Sequence, residues 1–351
     1  MVANTDRGPV LIGIAAMFEF FAFIAVALRL WTIGILRRRF LVHDILLLVA
    51  FILTTALVSL VIGTVQYGGL GRHAADLITE PEKLLLFGKL LLTDTLVWVV
   101  AMTFVRLSIL SLYMHIFSLH QKFRMACYVL MVATTAWGIA VFFLLAFDCH
   151  PFAFNWDKTI PGGYCVNVKA SYLAAHVANL TIDSSIAFLP ATVLWGLQMP
   201  LRRKVGIIIL FALGATVCIF SIIRIALYRL VLGYDTIDFT WTAPIPLIFT
   251  VGEPSLGCVI ACLPLLRPVA EKVSAFSRVK SWGTSGPSSR GSKPGGRPNR
   301  DESTRDAGQA AIKGGDVGDG QWQRLSDDRK AIMASTEFDQ RTYYELEPRS
   351  R

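Results

Sequence analysis

Seven polar side chains fall inside long apolar stretches of the sequence, where water cannot solvate them. They are Glu19, Asp94, Arg106, Asn179, Asp183, Arg224 and Glu253. An ionisable group inside a membrane costs several kcal/mol unless it is paired, so each such group is a candidate functional residue. We expect these side chains to face one another and to form an intramembrane polar network.

Position along the chain divides the charged groups into two layers, counted at about 1.5 Å per residue from the predicted helix ends. The middle layer comprises Glu19, Arg106, Asp183 and Glu253. The outer layer comprises Asp94, Arg224 and the pocket candidates Lys89, His176, Trp156 and Trp241. The outer layer predicts a small-molecule pocket, and the middle layer a conformational switch or a coupled ion site. Alternatively, Arg106 simply neutralises Asp183 or Glu253 and holds the bundle together.

The elements that must position these residues are apolar runs, each about the 20 residues that cross a bilayer core of about 30 Å. They cover approximately residues 10–31, 44–65, 90–114, 125–147, 170–195, 205–228 and 242–264. The chain is 54% hydrophobic and only 17% charged, against about 25% charged in soluble domains. Unbroken apolar runs exclude a spanning β-barrel, whose strands alternate apolar and polar residues. The sequence therefore predicts an all-α membrane protein with a seven-transmembrane helix bundle over residues 1–267.

Basic residues in alternate loops predict the orientation of the bundle. Clusters at residues 37–39, 122–124 and 202–204, and the start of the tail, face the cytosol; the remaining loops carry little positive bias. The N-terminus is then outside and the C-terminus inside. Because the net charge of +9 lies in loops and tail, nucleic acid is not an expected partner.

Two of the six cysteines, Cys149 and Cys165, fall in one predicted outer loop. Outside the cell thiols oxidise, so we predict a disulfide that folds this loop as a lid, the alternative being two free thiols in a mobile loop. The other four cysteines lie in predicted helices and are expected to pack as small apolar side chains. No cysteine or histidine spacing indicates a metal or intramembrane catalytic site, so we expect neither a bound metal nor an enzyme.

The region after the last span divides into two parts. Residues 268–282 repeat apolar positions at helical spacing between basic ones, which predicts an amphipathic helix on the cytosolic membrane surface. An exposed linker is the alternative. Residues 283–351 form a basic tail whose first half is rich in Gly, Ser and Pro, and we expect this tail to be disordered.

Short motifs recur in a specific order between residues 10 and 268. They include Arg29-Leu30-Trp31, Gly69-Leu70-Gly71-Arg72-His73, Cys149-His150-Pro151 followed by Trp156 and Cys165, and Cys262-Leu263-Pro264. Together they resemble the fungal rhodopsin-domain family of integral membrane proteins. The sequence departs from that pattern at Arg106, where the family usually has lysine, at His43, where it has aspartate, and at Phe249, where it has tryptophan. Arginine keeps the charge but presents a planar donor fork instead of a compact ammonium.

The resemblance implies a GPCR-like architecture without light sensing. A retinal pigment needs a Schiff-base lysine in the seventh helix, and residues 242–263 contain no lysine, so no retinal cofactor is expected. We expect a receptor-like protein, at the plasma membrane rather than an internal membrane, which binds an unknown small-molecule or surface ligand and engages a cytosolic signalling partner. The alternative is a transporter, an exporter or an accessory membrane protein of a secondary-metabolite pathway, since some family members are encoded in such gene clusters.

Overall fold

The computed structural model describes residues 6–35, 37, 39–73, 80–117, 121–194, 201–233 and 239–282. This part of the chain contains seven long helices: α1 (Gly8–Ile35), α2 (Val42–Gly68), α3 (Pro81–Ile116), α4 (Gln121–Ala146), α5 (Val168–Leu194), α6 (Leu201–Gly233) and α7 (Pro244–Trp282). Between α4 and α5, two short strands, β1 (Cys149–His150) and β2 (Tyr164–Cys165), flank a 3-10 turn, Phe152–Asn155. A single helical turn, Phe239–Thr242, precedes α7. Each predicted span overlaps one long helix.

Local residue chemistry explains several helix ends. Gly69 adopts a left-handed φ of 73° and ends α2, a conformation that costs glycine little because it has no Cβ. Pro81 stands in the first turn of α3, where its missing N–H would have no helical acceptor. Pro244 begins α7 for the same reason.

The helices pack in sequence order around the bundle, and α7 closes it by contacting α1, α2, α3 and α6. One apolar cluster gathers the starts of α1, α3, α5 and α7 with the ends of α2 and α4, so these helices alternate in direction. A second cluster, including Val105, Tyr113 and Cys258, fills the other end. The end that carries β1 and β2 is called the hairpin end below.

The outward faces of the helices are apolar. Exposed large side chains include Phe20, Phe21 and Phe23 on α1, and Val129, Val132, Ile139 and Phe143 on α4. An exposed apolar surface of this extent suits lipid contact and would be unfavourable in water. Within the described residues, six helices are long and apolar enough to cross a membrane, namely α1, α2, α3, α4, α6 and α7. The remaining long helix, α5, carries several polar residues on its buried face and is not among them.

The helix α7 extends well beyond the predicted seventh span. Residues 268–282, predicted as a separate surface helix, continue α7 without a break. Whether this segment lies along a membrane surface stays a prediction. The predicted disordered segment, residues 283–351, lies outside the described residues.

Candidate ligand-binding cavity and ion-pair network

A cavity of about 780 Å³ lies at the hairpin end of the bundle. Its walls come from α3, α5, α6 and α7, and the connection between α4 and α5 forms its cover. Most of the lining is apolar, and a small number of polar groups lie on the cover and on the inner wall, as in typical small-molecule sites. This space, called the hairpin cavity below, is where we locate the candidate binding site.

The cover of the cavity is fixed by a disulfide. The strands β1 and β2 pair antiparallel with Cys149 opposite Cys165, and the two cysteines are bonded. This confirms the disulfide predicted from the sequence. Gly88 of α3 allows the cover to approach closely, because a Cβ there would lie 3.0 Å from the Cβ of Trp156.

Three titratable groups of the cover line the cavity. Hydrogen bonds from the hydroxyl and the backbone N–H of Thr159 lower the pKa of Asp157. Burial raises the pKa of Asp148 and lowers that of Lys158. The ammonium of Lys158 lies 3.4 Å from the Cys165 sulfur and 4.6 Å from the centre of the Phe154 ring. The cover of the cavity thus carries two carboxyl groups and one amine.

The inner wall of the cavity is a layer of aromatic and charged side chains. The rings of Tyr172 and Tyr228 stack at 4.0 Å between α5 and α6. The His176 ring lies 4.4 Å from the Tyr172 ring, and the guanidinium of Arg224 lies 4.3 Å from the centre of a Trp98 ring. Such packing holds Arg224 at the cavity wall through a cation–π contact.

Behind this wall, two buried ion pairs join four helices. Arg106 of α3 binds Asp183 of α5 with two parallel hydrogen bonds of 2.8 and 2.9 Å. Arg224 of α6 lies 2.8 Å from the Glu253 carboxylate of α7. Two positive and two negative charges balance here, whereas counting Arg106 alone against Asp183 and Glu253 would leave one carboxylate unpaired. The bidentate geometry also explains how arginine serves where the family usually has lysine.

Asn179 connects the two pairs. Its side-chain oxygen accepts a hydrogen bond from Arg106 at 2.5 Å, while its amide nitrogen donates to Glu253 at 2.8 Å and to Asp183 at 3.1 Å. The Ser221 hydroxyl donates to Glu253 at 2.5 Å. A continuous cluster of ion pairs and hydrogen bonds therefore reaches from the cavity wall at Arg224 to Arg106 in the middle of α3, and we call it the central network.

Asp94 stands apart from this network. It is only 2% exposed and lines the hairpin cavity. Within the described part of the chain, neither of its carboxylate oxygens has a hydrogen-bond partner. It lies one helical turn before Trp98 on α3, so both face the cavity. An ionised carboxylate in this position is costly without a counter-charge.

The remaining predicted residues are dispersed. Glu19 accepts a hydrogen bond of 2.6 Å from Thr55, away from the central network. Trp156 and His176 line the hairpin cavity, and the ammonium of Lys89 lies 5.8 Å from the centre of a Trp156 ring. Trp241 does not line it.

Trp241 instead lies in a separate aromatic and basic contact. The ring of His73 stacks on it at 4.2 Å, and the guanidinium of Arg7 lies 4.3 Å from the centre of a Trp241 ring. The N-terminal segment, the connection after α2 and the turn before α7 meet at this point. We assign this contact a role in joining chain segments at the hairpin end.

The sequence analysis missed several residues of the site. The Trp98 ring contacts Arg224, and the Trp137 ring contacts Arg106. The others are Tyr172, Ser221 and Tyr228. A signal was present: Tyr172, His176, Asn179 and Asp183 recur at helical spacing and mark one face of α5. A search for polar and aromatic periodicity would have found Tyr172 on this face.

A third buried ion pair lies at the opposite end. The guanidinium of Arg29 binds the Asp44 carboxylate at 2.7 and 3.0 Å and the Ala261 carbonyl at 2.5 Å, which joins α1, α2 and α7. In the sequence, Arg29 stood out only as part of a motif shared with the family. The geometry of the pair indicates a structural tie between helices.

Metal binding finds no support in this geometry. Among the residues that the structure describes, no three His, Cys, Asp or Glu side chains converge as metal ligands.

Apolar helices around enclosed ion pairs define a multi-pass helical membrane protein. The family model described as the fungal rhodopsin domain matches residues 28–272. The chain belongs to this family, which confirms the resemblance noted from its motifs.

Curated relatives are similar over much of the bundle. The chain is 28% identical over 273 residues to the "Polyenoic acids biosynthesis gene cluster protein Ba17b" of Metarhizium anisopliae, a match that covers 74% of this chain and 72% of that protein. It is 29% identical over 205 residues to a "SAT4 family membrane protein" of Emericella nidulans, covering 58% and 51% of the two chains, so it spans about half of that relative. It is 27% identical over 186 residues to the "Satratoxin biosynthesis SC1 cluster protein 4" of Stachybotrys chartarum, covering 53% and 66%. No solved structure matches.

Proposed function

We propose that this protein is a receptor-like, non-enzymatic membrane protein without a retinal chromophore. A small molecule enters the hairpin cavity from outside, and binding alters the cytosolic surface that engages a signalling partner. The proposed topology has seven crossings, with α5 as the fifth, the N-terminus outside and the hairpin end at the outer surface of the plasma membrane. It is supported by the basic residues in alternate loops.

The observation that carries this proposal is the position of Arg224. Its side chain lines the hairpin cavity and also pairs with Glu253 of the central network. A ligand that packs against the wall at Arg224 shifts the guanidinium relative to Glu253 and alters the contact between α6 and α7. Because Asn179 binds both Glu253 and Asp183, that alteration reaches α3 and α5. Differential binding to two arrangements of such a network is what a receptor requires.

The test measures ligand binding and partner recruitment in the same cells. A small-molecule panel is screened for binding to membranes that contain the protein, and proximity labelling at the C-terminus reports partners with and without each binder. Asn179→Leu should keep binding but lose the ligand-dependent change in labelling, whereas the control Thr55→Val, outside the central network, should keep both. Binding without any change in labelling by the wild-type protein would contradict the receptor proposal.

Topology is tested separately with single cysteines in a background whose free cysteines are replaced by alanine. A membrane-impermeant maleimide should label Thr159→Cys on intact cells, and should label Arg203→Cys only after permeabilisation. The reverse pattern would refute the proposed orientation.

The second candidate is an accessory transporter or exporter of a secondary-metabolite pathway. Two of the relatives described above are named for biosynthesis gene clusters, which favours this candidate. Flux of a metabolite through reconstituted vesicles that disappears in Glu253→Gln would support transport over signalling. Flux that is equal in protein-free vesicles would contradict it.

A further inference from the structure

The lining of the hairpin cavity holds a carboxyl group that no described residue neutralises. The ionisable side chains in its lining are Asp94, Asp148, Asp157, Lys158, His176 and Arg224. Arg224 is already paired with Glu253 and covered by Trp98. Three carboxyl groups of the lining therefore face one amine, Lys158, and the imidazole of His176, while the nearby ammonium of Lys89 helps to lower the pKa of Asp157. The lining favours a positively charged occupant.

Within this lining, Asp94 is the deepest carboxyl group and lacks a counter-charge. Its side chain is almost fully buried, and both oxygens are without a hydrogen-bond donor among the described residues. The other two carboxyl groups have donors: Ser171 for Asp148, and Thr159 for Asp157. An unpaired buried carboxylate aimed into a cavity is the arrangement that a bound cation completes.

The aromatic lining fits the same occupant. Trp156, Tyr172 and Tyr228 line the cavity together with Phe87 and Trp98. Aromatic faces attract organic ammonium groups, and the attraction is larger when the group is desolvated. The apolar remainder of the lining suits a hydrophobic body of drug-like size, since such pockets occupy about 300 to 1,000 Å³.

We infer that the hairpin cavity binds a protonated organic amine with an apolar body, and that Asp94 is its counter-ion. This inference rests on the proposed function, because it specifies the ligand of the same cavity. The ammonium group donates to the two free oxygens of Asp94 while the body packs against the aromatic side chains. Arg224 stays with Glu253 until the ligand displaces the wall around it.

Three probes with one body and different head groups test the inference. Phenylbutylammonium, phenylbutanol and phenylbutyrate are titrated into the full-length protein in detergent at neutral pH, and the rise in its unfolding temperature gives each Kd. The wild-type protein should bind the ammonium compound at least about ten-fold more tightly than the alcohol, because a hydrogen bond to a charged group strengthens binding by at least about that factor. Asp94→Asn should weaken ammonium binding by roughly 10- to 100-fold and leave the alcohol within about two-fold.

Two further variants control for folding and for general electrostatics. Asp94→Glu keeps the charge and should keep the preference for the ammonium probe, which excludes a merely structural role of Asp94. Asp157→Asn removes a carboxyl group in the cavity cover and should change ammonium binding by less than about three-fold, because exposed charges are screened. Elution volume and helix content identify any variant that fails to fold.

The outcomes separate this inference from the proposal that the cavity binds ligands. Three results would overturn the amine assignment and leave the cavity proposal standing. They are equal binding of the ammonium compound and the alcohol, an unchanged preference for the ammonium compound in a folded Asp94→Asn protein, and tightest binding of phenylbutyrate. If none of the three probes raises the unfolding temperature of the wild-type protein, the amine assignment fails and the cavity itself is in doubt.

Discussion

The pair between Arg106 and Asp183 allows a quantitative test of the central network. Arg106→Met leaves Asp183 with one donor, the Asn179 amide at 3.1 Å, and Asp183→Leu leaves Arg106 with the Asn179 oxygen at 2.5 Å. Each single substitution leaves a buried charge without its partner and should lower the free energy of unfolding by about 3 to 5 kcal/mol. If the two effects were independent, the double variant would lose about 6 to 10 kcal/mol of unfolding free energy. We expect instead that it loses no more than one single variant, because an apolar pair of similar volume leaves no buried charge unpaired.

The assay is reversible unfolding of the full-length protein by SDS in mixed micelles, followed by helix content. Arg72→Met is the matched control, because Arg72 and Asp6 form an exposed pair at 3.9 Å and such pairs contribute about 0 to 1 kcal/mol. A coupling energy above about 2 kcal/mol for Arg106 with Asp183 would support the network. If the double variant loses the sum of the two single losses within about 0.5 kcal/mol, the two residues act independently and the reasoning fails.

Three further predictions concern the cover, the packing and the loop charges. Cys149 and Cys165 are separated by 16 residues. Replacing both by serine should lower the free energy of unfolding by about 3 kcal/mol, and reductant should have the same effect on the wild-type protein. An unchanged unfolding temperature would contradict this prediction. Gly257→Ala should lower the free energy of unfolding by about 1 to 3 kcal/mol in the same assay, because its Cβ would overlap a valine of α3. The control Gly63→Ala has no described atom nearby and should be neutral. Equal effects of the two substitutions would refute this prediction. The lowered pKa of Asp157 contributes stability that is present above its unfolded pKa and is lost as pH falls through its folded value. Thr159→Val should raise that pKa towards 3.8 in carboxyl NMR titrations, and an unchanged value would show that the hydrogen bonds are not its cause.

Composition and periodicity predicted the helices because each apolar run is long enough to identify one membrane-spanning helix. The disulfide followed from the same reasoning, since only Cys149 and Cys165 share a loop. The partners of the buried charges were harder, because spacing along a helix identifies a face but not which residue of another helix lies opposite. Arg106 could pair with Asp183 or Glu253 on sequence evidence, and the packing of α3 against its neighbours decides.

Arg224 lines the cavity, as expected for the outer layer, but it also pairs with Glu253 of the predicted middle layer. The predicted sixth span ends at residue 228, whereas α6 continues to Gly233, so Arg224 lies further from the helix end than the sequence suggested and reaches Glu253. Trp241 was assigned to the pocket because it lies in a predicted outer loop. The helical turn Phe239–Thr242 places it against His73 and Arg7 instead, and no periodicity in the sequence encodes that contact.

The polar face of α5 has a consequence for how the protein is made. A helix that carries His176, Asn179 and Asp183 is a poor substrate for insertion into lipid by itself. Its counter-charge on α3 is synthesised earlier, but Arg224 and Glu253 emerge from the ribosome later. In the proposed topology, α5 would therefore have to wait beside the translocation machinery until α6 and α7 arrive. Variants in the central network would then reduce the amount of protein that reaches the membrane before any change in ligand response could be measured.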